Sequence, residues 1–311
     1  MFRFLFRLVA IAALLATVPG GTAAAAGKVQ VVASLPDLAA VAREVGGDRV
    51  EVTALAEATQ DPHHVDARPH LILKLNRADL LIQAGMELEV GWLPVLVRGA
   101  RNPRIYAGAA GHMDASAAIR AKDVPAGKVD RTMGDVHPSG NPHYMSDPRN
   151  AAAMARALAD RLAKLDPGDG PGYRARAEEF ERRARAAAAR EAARFGALPA
   201  ARRRIITYDR SLTYLVDWLG LSAVGELEPK PGIPPSPAHV AQVIATIREM
   251  GVPAIVQEAY YPRRTAELVA RRSGAKLVAL PGFPDFSGGQ DYLTYMGKLA
   301  DQLYAALEPG P

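Results

Sequence analysis

The chain contains no cysteine. Disulfides are therefore excluded, stability has to come from a packed core, and thiolate metal sites are ruled out. A lipid anchor on a cysteine behind an export signal is excluded by the same count. Aromatic residues make up only 6% of the sequence and tryptophan occurs twice, so no basic patch is interleaved with the stacking rings that nucleic acid requires. Charge of one sign is also scarce, with a net +5 over 311 residues. The basic residues gather at Arg174, Arg176, Arg182, Arg183, Arg185 and Arg190, and again over 202–204. The first group alternates with Glu178, Glu179, Glu181 and Glu191 in helix-forming sequence, which predicts a solvated helix face with paired charges. Beyond residue 26 no run is apolar enough to cross a bilayer.

The N-terminus reads as a secretory signal over residues 1–26. Arg3 and Arg7 form its positive region, residues 8–18 its apolar run, and Ala23 to Ala26 its small-residue cleavage region. Nearly half of the residues are hydrophobic, enough for two lobes with cores of their own. From residue 27 onward, strand-like and helix-like segments alternate. Strands are predicted over 29–33, 50–55 and 80–83, with helices from Pro36-Asp37 to Gly46-Gly47, over 69–78 and over 88–98. A second series predicts strands over 205–208, 254–257 and 276–280 and helices over 212–219, 237–250 and 291–307. Such alternation argues for parallel βα units. Between the two series an alanine-rich stretch, 173–195, predicts a helix roughly 35 Å long, which reads as a stiff spine between two lobes. The expected fold is thus α/β: an N-terminal lobe over 27–169, a linking helix over 170–195 and a C-terminal lobe over 196–311, with a cleft between the lobes. No internal repeat is evident.

Only seven histidines occur, and two of them share a context: Asp61-Pro62-His63-His64 and Asn141-Pro142-His143-Tyr144. Proline restricts its own φ and the residue before it, so a histidine placed just after it is aimed by the backbone. His63 follows a strand, at the sheet edge where open α/β folds bind ligands. The second lobe offers carboxylates in equivalent places: Asp209 after the strand 205–208, Glu258 after 254–257 and Asp285 after 276–280. Two imidazoles with one or two carboxylates suit Zn²⁺, Mn²⁺ or Fe²⁺. His64 and His137 lie beside the two tracts, as further ligands or as groups behind them. The Pro-rich segment 228–237 reads as a rigid crossover that walls one side of the cleft, and 122–142 as a loop leading into the second tract.

Taken together, these residues resemble the metal-binding solute-binding proteins of bacterial ABC importers for zinc and manganese, the group that includes the periplasmic zinc-uptake proteins. The resemblance runs through Asp61-Pro62-His63, Ala78-Asp79-Leu80 to Gly85, Gly91-Trp92, Asn141-Pro142-His143 with Asp147-Pro148, and Tyr208-Asp209-Arg210-Ser211 to Trp218-Leu219-Gly220-Leu221. It implies two α/β lobes joined by one long helix, with the metal between them. The first two ligands fall on His63 and His143, and the third, often a histidine, falls on Asp209. The usual fourth, an aspartate, falls where this chain has Leu280-Pro281; Glu258 replaces it, with Asp285 as the alternate. The expected role is capture of Zn²⁺, or alternatively Mn²⁺, in the periplasm by a monomer without a lipid anchor. Delivery would be to a membrane permease, with a metallochaperone as a conceivable further partner, and without catalysis. A secreted metallohydrolase is the rival, but the chain has no His-Glu-x-x-His helix. An adhesin-like surface protein is the other.

Overall fold

The structure, a computed structural model, describes residues 27–309; the expected export signal lies outside the described residues. The first lobe opens with β1 (Val29–Ala33), α1 (Pro36–Gly46), β2 (Val50–Ala54), α2 (Pro69–Arg77), β3 (Leu80–Gln83), α3 (Leu93–Ala100) and β4 (His112–Asp114). A long loop then leads to α4 (Pro148–Leu165) and α5 (Gly170–Gly196). The second lobe contains β5 (Arg204–Thr207), α6 (Thr213–Trp218), β6 (Ser222–Glu226), α7 (Pro237–Met250), β7 (Ala254–Glu258), α8 (Arg263–Ser273), β8 (Lys276–Leu280) and α9 (Tyr292–Leu307).

Each lobe is built on a four-stranded parallel sheet, ordered β2-β1-β3-β4 in the first and β6-β5-β7-β8 in the second. The strand orders are equivalent, so the topology repeats where the sequence shows no repeat. The central strands read as continuous apolar runs because both faces are covered; β7 is buried at every position. Helix boundaries follow local chemistry. Pro36 and Pro69 occupy first-turn positions, and α7 and α8 stop at Gly251 and Gly274 in left-handed conformation.

Three elements depart from expectation. The helix expected from residue 88 begins at Leu93, because Gly85, Met86 and Glu87 all have positive φ and turn the chain first. Strands β4 and β6 were not anticipated. β4 is three residues long and β6 is nowhere fully buried, so neither carries a strong apolar signal.

The linking helix α5 does not stand free. Tyr173, Ala177, Phe180, Ala184, Ala188 and Phe195 form a buried stripe at helical spacing. Arg176 reaches the carbonyls of Val45 and Gly46 at the end of α1, Arg183 pairs with Glu44, and Arg194 pairs with Asp301 on α9. One continuous apolar core joins β1 and β3 to β5, β7, β8 and α9. At this seam the buried Tyr292 hydroxyl donates to the Met145 carbonyl (2.6 Å), and Arg43 donates to the carbonyls of Phe286 and Gln290. Replacing Tyr292→Phe strands the Met145 carbonyl and is expected to cost roughly 1–3 kcal/mol. The urea midpoint should fall with the slope unchanged; an unaltered midpoint would show that the seam does not depend on this bond.

Candidate metal centre

The C-terminal edges of the two sheets face one another across a cavity of about 790 Å³. The two Pro-His tracts enter it by the same device. The Asp61 carboxylate accepts the His63 backbone N–H (2.9 Å), and the Asn141 side-chain oxygen accepts that of His143 (3.0 Å). An Asx residue whose oxygen closes on the N–H two residues on makes a local turn, and the intervening proline stiffens it. Trp92 fixes the first turn from behind by donating its indole N–H to the Pro62 carbonyl (2.9 Å). Asn141 fixes the second to the opposite lobe by donating to the Arg210 carbonyl (2.7 Å), while Tyr214 donates to the carbonyl of Asn141 (3.0 Å).

These turns bring three imidazoles together. The His63 ring lies 5.2 Å from that of His143 and 5.3 Å from that of His137, between centroids. The Nε2 atoms of His63 and His137 are 3.2 Å apart. His63 Nδ1 sits 2.8 Å from the Asp61 carboxylate, which assigns the proton to Nδ1 and leaves the Nε2 lone pair facing His137 Nε2. Burial pushes Asp61 up, but the hydrogen bonds and charge of His63 outweigh it and hold the group below its ordinary range. His143 is pushed well down by burial and by the neighbouring His63 and His137. His137 is pushed down to about 4, by burial first and then by His63. His64 is exposed, yet it lines the same cavity with its ring 6.2 Å from that of His63.

The second lobe supplies the facing wall. Asp209 follows β5 and is buried; its carboxylate accepts the Ser211 backbone N–H and the Tyr261 hydroxyl, both at 2.8 Å. Tyr261 stacks on Tyr208 at 4.2 Å, and the Tyr208 hydroxyl donates to Glu228 (2.7 Å). Sequence reasoning missed this tyrosine pair. Its members flank the two predicted acids, Tyr208 before Asp209 and Tyr261 three residues after Glu258, so proximity to the strand ends was the available signal. The Pro-rich crossover lines this wall through Pro229, Pro231 and Pro234.

Glu258 ends β7 but opens on a separate chamber of about 50 Å³, which it shares with His143, Ser211, Asp37 and Tyr260. One of its oxygens, Oε2, has no hydrogen-bond partner, and neither does the Ser211 hydroxyl beside it. Burial, and then the charge of Asp209, hold Glu258 well above the usual carboxylate range. Asp37, on the other side of the chamber, is pushed up to about 7 by burial. Asp285 stands apart from all of this. It is exposed, caps its own loop by accepting from Gly288 N–H (2.9 Å), and lines neither cavity. Among the described residues no group of three or more His, Asp or Glu side chains is arranged to hold a metal ion.

Residues 31–306 match the family model described as ZnuA, zinc-uptake complex component A, periplasmic. The chain belongs to that family. The iron-binding protein YfeA of Yersinia pestis is 25% identical over 282 residues, 88% of this chain and 84% of that protein. The manganese ABC transporter substrate-binding lipoprotein PsaA of Streptococcus pneumoniae is 22% identical over 284 residues, 90% of this chain and 86% of that one. A crystal structure of ZnuA superposes with a TM-score of 0.76 at 20% identity, covering 90% of this chain and all of that one. At that identity it attests the fold.

The depressed histidines make a stability prediction. Between pH 6.5, the ordinary value, and about 4, the unfolded chain takes up a proton at His137 that the folded chain refuses. This contribution is whole above pH 6.5 and is lost as the pH falls toward 4. Metal-free His137→Gln should therefore lose less melting temperature between pH 7 and pH 4.5 than the parent. Equal losses would contradict the buried, neutral imidazole.

Proposed function

We propose that this protein binds one divalent transition-metal ion in the cleft between its lobes and delivers it, in the periplasm, to the membrane permease of an ABC importer. The observation that carries the reading is the trio His63, His137 and His143, gathered on one wall of the cleft. At neutral pH the depression of His137 and His143 means that neither must shed a proton before its lone pair meets a cation, so proton competition is small. His63 is oriented by Asp61 in the manner of a metal-binding imidazole backed by a carboxylate. Membership in a zinc-uptake family and the metal-binding relatives support the same reading.

His63 and His143 are the principal ligands, with His137 as the third imidazole. Asp209 is the carboxylate that approaches from the second lobe, and the Tyr261 hydroxyl and Ser211 N–H orient it. Glu258 backs this set from the small chamber, which His143 also lines. We propose zinc as the cargo, because an imidazole-rich set with one carboxylate suits it, and manganese as the second choice through the oxygen donors. The protein works as a monomer, and the ion leaves as it arrived, without turnover.

Substituting His63→Ala or His143→Ala removes a ligand and should weaken Zn²⁺ binding by more than the roughly 10- to 100-fold that loss of an orienting partner costs. Competitive titration against a chromophoric chelator checks this. Wild-type affinity in both variants would sink the proposal.

A further inference from the structure

His137 differs from the other two imidazoles in how it is held. His63 and His143 ride on Asx-Pro turns closed by their own Asx side chains, whereas His137 sits in the loop 130–140, which has no strand or long helix of its own. Contacts to both lobes hold that loop. On the far side the Asp135 N–H donates to the Pro231 carbonyl (2.9 Å) and Lys230 Nζ donates to the Thr132 carbonyl (3.1 Å). A side chain at Gly134, where φ is +78°, would strike the Pro231 carbonyl, so only glycine lets the two backbones approach. On the near side the Ser139 hydroxyl donates to Glu87 Oε1 (2.8 Å), with the Ser139 N–H 3.4 Å from Oε2.

The turn that presents Met86 and Glu87 is unusual. Both are non-glycine residues in left-handed backbone, at φ 51° and 61°. Such a pair persists only where the surroundings over-determine it. Here the buried Glu89 does so, by accepting the Ala84 N–H (2.6 Å), the Gly85 N–H (3.1 Å) and the Ser34 hydroxyl (2.6 Å). A rigid turn therefore aims an exposed carboxylate at a loop two residues past His137, although nothing in the packing of the lobe requires Glu87 to be there.

We propose that Glu87 is a positioning residue for metal capture: through its hydrogen bond to Ser139 it sets the His137 ring against His63. The inference rests on the reading of His137 as the third imidazole ligand. Glu87 acts as a hydrogen-bond acceptor in this scheme, and its negative charge is incidental.

The test uses the full-length protein, competitive Zn²⁺ titration, and the visible spectrum of the Co²⁺-loaded form, which reports the ligand set. Glu87→Ala should weaken Zn²⁺ binding about tenfold, at the low end of the effect of outer partners, and shift the Co²⁺ spectrum toward that of His137→Ala. Adding Glu87→Ala to His137→Ala should cost nothing more. Glu87→Gln, whose amide oxygen still accepts from Ser139, should keep wild-type affinity and spectrum. Wild-type binding by Glu87→Ala would overturn the proposal, as would a Glu87→Gln as weak as the alanine variant, which would make the charge the active property. Wild-type affinity in His137→Ala would overturn both this proposal and the donor role of His137. Capture by His63 and His143 would then stand or fall on their own variants.

Discussion

The two sheets are held at one spacing by a seam of buried contacts, and everything in the cleft depends on that spacing. One apolar core runs through both lobes, and a second lies within the C-terminal lobe. Helix α5 packs along the first, and Tyr292, Arg43, Asn141 and Tyr214 carry hydrogen bonds from one lobe to the other. Wide hinge opening would expose this core and leave several of those groups unpaired, each at the cost of a buried unsatisfied polar atom. Adjustment is cheaper in the side chains and in the loop 130–140, where contacts are few and exposed. A metal site needs donors placed to within a fraction of an ångström. A fused scaffold with adjustable donors meets that need without moving a whole lobe.

Protonation is biased in opposite senses on the imidazoles of the cleft and on the acids of the small chamber. Burial and mutual proximity hold His137 and His143 neutral, so their lone pairs are available. Burial and the charge of Asp209 bias Glu258 toward its protonated form, and Asp37 across the small chamber is biased the same way. Both effects share their leading cause, a dry environment that penalises charge of either sign. A divalent cation entering the cleft meets imidazoles already free of protons, while the acids held protonated lie in the small chamber behind them. The metal-free fold is thereby spared a cluster of bare charges.

Much of this was legible in the sequence, and what was legible had local causes. The Asp-Pro-His and Asn-Pro-His tracts could be read as aimed histidines because proline geometry and Asx hydrogen bonding act within three residues. The strand ends carrying Asp209 and Glu258 could be read because β-branched runs are bounded by turn residues. Less was legible where long-range contacts decide. Asp285 lies in the loop after β8 and Glu258 closes β7, but the Asp285 loop closes on its own carboxylate. The helix expected from residue 88 gave way to a left-handed turn because Glu89, an apparent surface residue, is buried and binds backbone N–H groups. No pattern in the chain announces that Tyr261 would cross to Asp209, or that the topology of the first sheet would be repeated in the second.

The departure from the family pattern at Asp209 also takes a physical form. The resemblance leads one to expect a histidine there, and its replacement by a carboxylate would reduce the imidazole count by one. The structure brings another imidazole into the cleft from the first lobe, since His137 stands as close to His63 as His143 does. The donor set we propose therefore keeps three imidazoles and moves one of them across the cleft. That shift changes what holds the ion. An imidazole on a strand end is placed by the sheet, whereas His137 is placed by a loop pinned at Ser139 and Asp135. A loop left loose would have to be ordered on binding, and ordering a segment is a cost that any bound state has to offset. Contacts that hold the loop in advance reduce that cost, so in the donor set we propose, the hydrogen bonds flanking His137 would contribute to affinity although none of them touches the ion.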